Sequence, residues 1–369
     1  MRKLLQNLFR QPVIRLVNKF SSRPDKERIF SSLTQLYNDI IAGKTKKGLI
    51  IPFHFLNDKF IILSDQHKGV KDGSDDFADN EKNYLAALDY YFQSDFFYIN
   101  LGDSEELWKN TLPPVKKQNT LSFKKEKMFL QKERFIKIFG NHDLYWGNDP
   151  LAALELKNIY GQPVTIYEGA ILQTTVADNG LQIFVTHGHQ GDLQSDGNWF
   201  SKWFVATIWA RVQAYLEINP NTPAYDTQLK SEHNKLMYEW SSTSGTALVT
   251  GHTHQPVFES LTLMERLYNR LAEAQKNGDE KSISEIESHI SHRFQKGEVL
   301  PDFTGFKSNY FNSGCCCFSD GDITGIEIEA GCIRLIKWEY DAANNSQRIV
   351  LEEAELTKLS NEIKAKAEV

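Results

Sequence analysis

The chain has 369 residues, enough for one large domain with insertions or for two domains, and it can bury a sizeable core. Its 42 Lys and Arg against 48 Asp and Glu leave a net charge of -6, which excludes a global attraction to nucleic acid or to an anionic membrane; any basic surface is local. Three of the four cysteines, Cys315, Cys316, Cys317 and Cys332, are consecutive, which excludes a spaced disulfide framework or a zinc knuckle. They read as small apolar residues in a strand of a reduced cytosolic protein.

In chain order, residues 1–24 stand out first. Arg2, Lys3, Arg10, Arg15, Lys19 and Arg23 occur with no acid before Asp25, and Leu5, Leu8, Phe9, Val13, Leu16, Val17 and Phe20 recur at three- and four-residue steps around Pro12. The stretch lacks the cleavage site of a secretory signal, and no run approaches the ~18 apolar residues of a membrane span. A basic amphipathic helix suits docking on its own domain or peripheral contact with an anionic membrane, and periodicity does not separate the two. The expectation is a cytoplasmic protein, with any membrane contact at the inner face through residues 1–24. A further helix, Asp25 to Gly43 with Ile29, Leu33, Leu36 and Ile40 on one side, completes an amino-terminal extension over 1–45.

From residue 46 strands begin. Leu49–Leu56 and Lys59–Leu63 read as a hairpin turning at Asn57-Asp58. An amphipathic helix near Asn80–Phe92, a strand running into Asp103, a helix over Phe123–Lys132 and a strand from Phe135 give the alternation of parallel β-α-β units. Beyond Pro150 come a short helix and the strands Val164–Tyr167, Ile171–Ala177 and Leu181–Thr186, with Asn179-Gly180 as a hairpin signal. Lys307–Tyr340 also reads as strands, turning at Asp320-Gly321 and Ala330-Gly331, so a second, partly antiparallel sheet is available to pack on the first. The main domain is expected over 46–345, followed by a strand and helical tail over 346–369. Two insertions interrupt it. Residues 198–245 form a helical segment rich in aromatics (Trp199, Phe200, Trp203, Phe204, Trp209, Tyr215), which suits a cap over a site or simple packing. Residues 261–297 form a charge-rich helical hairpin split at Asn277-Gly278, expected to be a solvated face.

Five apolar runs share one grammar: each ends in side chains that can ligate a metal. They are F-I-I-L-S-D-Q-H (Asp65, His67), F-F-Y-I-N-L-G-D (Asp103), F-I-K-I-F-G-N-H-D (Asn141, His142, Asp143), Q-I-F-V-T-H-G-H (His187, His189) and A-L-V-T-G-H-T-H (His252, His254). The carboxyl ends of strands are where open α/β sheets hold ligands. Mixed Asp, Asn and His ligation without cysteine suits Mn, Fe or Zn, and the ligands are too many for one four-coordinate ion. Two ions roughly 4 Å apart can hold a bridging hydroxide and clamp a phosphoryl group for in-line attack. His54, His233, His289 and His292 read as ordinary core or surface residues.

In this order, D-x-H, G-D, G-N-H-D, H-G-H and G-H-x-H resemble the calcineurin-like metallophosphoesterase family over Leu49–Phe258, with sheet completion to about Tyr340. The resemblance implies a two-sheet α/β/β/α sandwich. It implies that Asp65, His67 and His254 hold one cation, that Asn141, His187 and His252 hold the other, and that Asp103 bridges them. His142 is then a proton donor or a cation at the transition state, with Asp143 either orienting that imidazole or capping the next turn. His189 reads as a substrate contact or a support behind the ligands, and Asp192 and Trp108 as further candidates for substrate contact. The G-D-x-x-E-L-W pattern, H-G-H-Q-G-D (His187–Asp192) and a helical insertion before G-H-T-H-Q-P are similar to bacterial UDP-2,3-diacylglucosamine pyrophosphatases, which implies a nucleotide-linked lipid substrate. That family has arginine where this chain has His142, and a guanidinium does not donate a proton near neutral pH. The expected activity is therefore hydrolysis of a phosphomonoester, phosphodiester or pyrophosphate bond. The alternatives are a metal-dependent nuclease, for which the lysines of 116–132 would supply the groove, and a non-catalytic membrane- or protein-docking scaffold.

Overall fold

Phe60–Leu63 (strand β2) is four residues long and buried throughout, with Phe60 and Ile62 turned to one side and Ile61 and Leu63 to the other. A strand apolar on both faces must be covered on both. In the computed structural model, which describes residues 24–44, 46–73, 75–175, 180–191, 227–295 and 308–364, it is. β2 lies inside a seven-stranded sheet of spatial order β14 (Ser346–Glu355), β13 (Cys332–Tyr340), β12 (Ile323–Glu329), β2, β3 (Phe97–Leu101), β4 (Phe135–Ile138) and β5 (Ile166–Tyr167). The strands from β2 to β5 run parallel, and β12 to β14 are antiparallel to their neighbours.

A second seven-stranded sheet has the order β1 (Gly48–Phe53), β6 (Gly169–Thr174), β7 (Gln182–Thr186), β8 (Ala247–Thr250), β11 (Tyr310–Asn312), β9 (Val257–Phe258) and β10 (Leu261–Thr262). The two sheets face each other. Phe60, Ile62, Ile99 and Ile138 of one meet Leu172, Ile183, Val249 and Phe311 of the other in a continuous core.

Helices close both outer faces. Over the β2 sheet lie α2 (Glu81–Gln93), α3 (Leu112–Gln118), α4 (Thr120–Gln131), α5 (Tyr145–Asn148) and α6 (Ala152–Tyr160), which bring Tyr84, Tyr91, Phe129, Leu156 and Tyr160 onto Ile61, Leu63 and Tyr98. Over the other sheet, α1 (Lys26–Ile41) and α7 (Thr227–Ser244) pack Leu33, Leu36, Met237 and Trp240 onto Ile171, Phe184 and Leu248. The α1 helix starts where Asp25 accepts the Arg28 backbone N–H at 2.9 Å. The result is the expected α/β/β/α sandwich.

The charge-rich insertion forms α8 (Leu263–Asn277) and α9 (Glu280–Gln295), joined at Gly278 in the left-handed conformation. The capping box of Thr262 and Glu265 starts α8. Finally α10 (Leu356–Lys364) follows β14, which pairs with β13 along its length.

Two expectations are corrected. Residues 48–63 do not form a hairpin: β1 pairs in parallel with β6, while β2 pairs with β3 and β12 in the other sheet. The turn at 54–58, tied by the His54 N–H to Asp58 Oδ2 at 2.7 Å, passes the chain from one sheet to the other. An edge strand that tolerates Pro52 and a central strand buried on both faces have different requirements, and these outweigh the local turn signal. The cysteine triplet is not in a strand either; it occupies the loop between β11 and β12, beside His254.

The readings for residues 1–23, for most of the aromatic insertion and for Asp192 lie outside the described residues. Among the described residues no helix is long and apolar enough to cross a membrane.

Candidate metal centre

Strands β2, β3 and β4 of one sheet and β7 and β8 of the other all deliver their carboxyl ends to one place. The loops that follow turn by an unusual route. Asp65 (φ 53°), His67 (φ 50°), Asp103 (φ 50°), His252 (φ 68°) and His254 (φ 55°) all adopt the left-handed backbone region, which side chains bearing a Cβ avoid at a penalty of roughly 1 kcal/mol or more each. Five such residues in one spot persist only because neighbouring loops hold them. The Asp65 and His67 N–H groups donate to the carbonyls of Gly102 and Asp103 at 3.0 and 2.9 Å, and the His252 N–H donates to Asp65 Oδ2 at 3.0 Å. Glycine is required where loops touch: a Cβ on Gly140 would stand 2.2 Å from Asp103 Oδ1, and one on Gly251 would stand 2.5 Å from Asp65 Oδ2.

The side chains converge tightly. Asp65 Oδ1 lies 3.2 Å from His254 Nε2 and 3.8 Å from His67 Nε2, and the two imidazole nitrogens are 3.2 Å apart. On the other side His187 Nε2 lies 3.3 Å from Asn141 Oδ1, and ligand atoms of Asp103, His187 and His252 fall within 4.8 Å of one another. Asp103 Oδ2 sits between the groups, 3.2 Å from His187 Nε2 and 3.8 Å from His67 Nε2. The seven residues that the family resemblance implies as ligands all meet here.

Burial disfavours every charge in this cluster, yet charge persists. Asp65 and Asp103 are held below the usual carboxylate range, against the burial penalty, by the imidazolium of His187, joined by His254 at Asp65 and by His142 at Asp103. His187 and His254 are correspondingly raised to about 9; burial opposes this, and the carboxylates of Asp103 and Asp65 around the first, and Cys315 and Asp65 around the second, overcome it. His252 is driven well below the usual imidazole range by burial and by the rings of His233 and His187. Its Nε2 is a buried atom with no hydrogen-bond partner, and the buried Asp65 Oδ1, although 3.2 Å from the His254 imidazole, accepts no well-aligned hydrogen bond. An imidazole lone pair and a carboxylate oxygen left open inside a buried N/O cluster fit divalent cations, which replace the protons that otherwise balance the acids.

Of the remaining candidates, His142, Asp143, Trp108 and His189 lie beside this centre. His142 is buried, and its Nδ1 lies 2.9 Å from Glu106 Oε2, which also lies 3.3 Å from His67 Nδ1. Asp143 does not serve the imidazole. Its carboxylate accepts the backbone N–H groups of Gly140 (2.6 Å), Ser104 (2.8 Å) and Asp103 (3.3 Å), and so ties two of the loops together. Burial, with the nearby charges of Glu105 and Asp103, raises that carboxyl to about 6.

Trp108 stacks on His142 with ring centroids 4.0 Å apart, and His189 packs 5.4 Å from the His187 ring. Three residues were not picked out from the sequence. Glu106 orients two imidazoles, His233 donates to the Gly188 carbonyl at 2.7 Å behind the His187 loop, and Cys317 Sγ lies 3.6 Å from His254 Nδ1. The signal for Glu106 was present in G-D-S-E-E-L-W, as a carboxylate three residues after Asp103.

Comparison with known proteins agrees with this geometry. The model of the calcineurin-like phosphoesterase family matches residues 58–256. No curated protein matches the chain. Among solved structures, vacuolar protein sorting 29 from Cryptosporidium parvum is similar at 11% identity, over 81% of this chain and 98% of that one, with a TM-score of 0.33. A Staphylococcus aureus protein described as a 5'-nucleotidase is similar at 11% identity, over 83% of this chain and 58% of that one, with a TM-score of 0.31. Both overlaps are too low for either likeness to bear on fold or chemistry.

Proposed function

Because the chain belongs to the calcineurin-like phosphoesterase family, we propose that it hydrolyses a phosphomonoester, phosphodiester or pyrophosphate bond with two divalent cations, Mn, Fe or Zn, held at this convergence. Asp65, His67 and His254 would hold one cation, Asn141, His187 and His252 the other, and Asp103 would reach both. The observation that carries the reading is the pair of open buried atoms, Asp65 Oδ1 and His252 Nε2, inside a cluster whose backbone is strained at five positions. Such cations supply Lewis-acid activation of water and neutralise charge on a phosphoryl group.

The chain's own residues supply the rest. Glu106 engages Nδ1 of His142 and leaves Nε2 as the atom that delivers a proton to the departing oxygen. Trp108 lies against the same ring and fixes its plane. Asp143 keeps the Asp103 and Asn141 loops in register through backbone N–H groups and takes no part in the proton transfer.

The substrate reading taken from the sequence, a nucleotide-linked lipid, enters the test as one arm. An aryl phosphomonoester, a bis-aryl phosphodiester and a UDP-linked glycolipid are each offered with added Mn or with chelator, to the parent and to His142→Ala. Metal-dependent turnover of one member that falls about 10²- to 10⁴-fold in His142→Ala is the expected result. Turnover that survives the chelator overturns the proposal. Two bound metals with no turnover of any member would instead favour the docking scaffold.

A further inference from the structure

A cavity of about 570 Å³ opens beside His254 and runs away from the centre between α8, β13, β14 and the loop that follows the cysteine triplet. Its size suits a small organic ligand. Its walls are mixed: Pro256, Leu263 and the half-buried Phe318 offer apolar surface, while eight ionisable side chains share the lining. Most of the positive charge is already committed. Arg266 and Arg270 pair with Glu352 at 3.0 and 2.6 Å, and Lys337 pairs with Asp322 at 3.0 Å.

Lys230 of α7 differs. It lines the cavity together with His254, it is half-buried, and among the described residues no carboxylate lies within ion-pair distance of it. Burial pushes its ammonium below the usual lysine range. A partly desolvated ammonium with no ion-pair partner among the described residues, next to a centre that is itself positive when loaded, is stabilised by an anion that touches both.

Resting on the phosphoesterase reading, we propose that this cavity receives the non-reacting part of the substrate, a polyhydroxylated ring such as a nucleoside or a sugar, and that Lys230 binds the phosphate joining that ring to the centre. Phe318 offers a face for the ring, and Asp320 and Asp322 offer acceptors for its hydroxyls. An acyl chain is a poor occupant, because it would desolvate the charged walls and return no hydrogen bonds. The wall chemistry therefore turns the substrate class away from hydrocarbon at this end of the site.

Calorimetric titration of the Mn-loaded full chain tests this, with a nucleoside 5'-monophosphate, a hexose 1-phosphate, octyl phosphate and inorganic phosphate as probes. One ring phosphate should bind more tightly than octyl phosphate. Lys230→Met should weaken it by roughly tenfold or more at unchanged Mn content. Phe318→Ala should weaken the ring phosphate while leaving inorganic phosphate unaffected. Whichever ring compound wins tells nucleoside from sugar. Octyl phosphate binding as tightly as either ring compound, no ring phosphate binding at all, or parent-like binding in Lys230→Met overturns the proposal. Mn content and aryl ester turnover, read separately, report on the phosphoesterase reading and can fail while the cavity result stands.

Discussion

Two buried charge clusters lie within a few residues of each other in sequence and are built on opposite principles. Beneath α4, Lys68 reaches Glu126 at 2.5 Å and Glu105 at 3.2 Å, and Lys137 reaches Glu105 at 3.0 Å. Tyr84 and Tyr160 donate to the Glu126 carboxylate, and Trp146 donates to Glu105 at 2.7 Å. Two lysines and two glutamates balance, and the four carboxylate oxygens are all engaged. The metal-centre cluster has two aspartates and four imidazoles that balance only when histidines take up protons, with open atoms and strained backbone. A buried polar group that its own fold satisfies contributes to a unique structure; one left open is arranged for something from outside.

The largest effects should separate the two clusters cleanly. Asp103→Asn removes the carboxylate placed between the two ligand groups, so metal content should drop and turnover should fall by more than the ~100-fold typical of an outer partner. In chelator, the same variant should melt below the parent, because His187 loses the carboxylate that holds its charge. Metal analysis with thermal unfolding reads both, and a variant that keeps two metals breaks the contrast.

Glu126→Leu should cost stability alone. It leaves Lys68 short of a partner and two tyrosine hydroxyls without an acceptor, which should destabilise the fold by about 3–5 kcal/mol while bound metal is retained. Denaturant unfolding measures it. Equal loss of metal and stability would mean that the two clusters are one unit.

Third in size is Glu106→Gln, whose side chain keeps its volume but loses the charge that holds His142 and His67. Activity or metal affinity should fall about 10- to 100-fold. Asp143→Asn, within the G-N-H-D motif itself, should act on stability instead, because its carboxylate serves backbone N–H groups.

The sequence made the strands legible wherever the signal was local. Each site strand is a run of apolar residues that stops at a glycine or a polar side chain, so its end could be located, and the five endings do meet. Pairing was less legible. Asn57-Asp58 is a good turn, but whether β1 and β2 share a sheet is decided by burial on the far faces of Phe60 to Leu63, by partners tens of residues away. The left-handed residues were hidden because Asp and His, unlike Gly, do not advertise that conformation. Glu105 and Glu106 show the limit best. They are identical neighbours, one bound into the balanced network and one to the imidazoles, and only the positions of Lys68, Lys137 and His142 tell them apart.

The smallest effect tests what Trp108 does for His142. A stacked ring contributes about 0.5–1.5 kcal/mol beyond its area, so Trp108→Ala should slow turnover by roughly 2- to 10-fold. If the stack aims the imidazole at the departing oxygen, the loss should be larger for an alkyl ester, whose leaving group needs a proton, than for a nitroaryl ester, whose leaving group does not. Glu106→Gln should show the same split, since it acts on the same ring from the other side. An equal loss on both esters would place Trp108 in substrate binding, and would leave Glu106 as the one residue that prepares His142 for proton transfer.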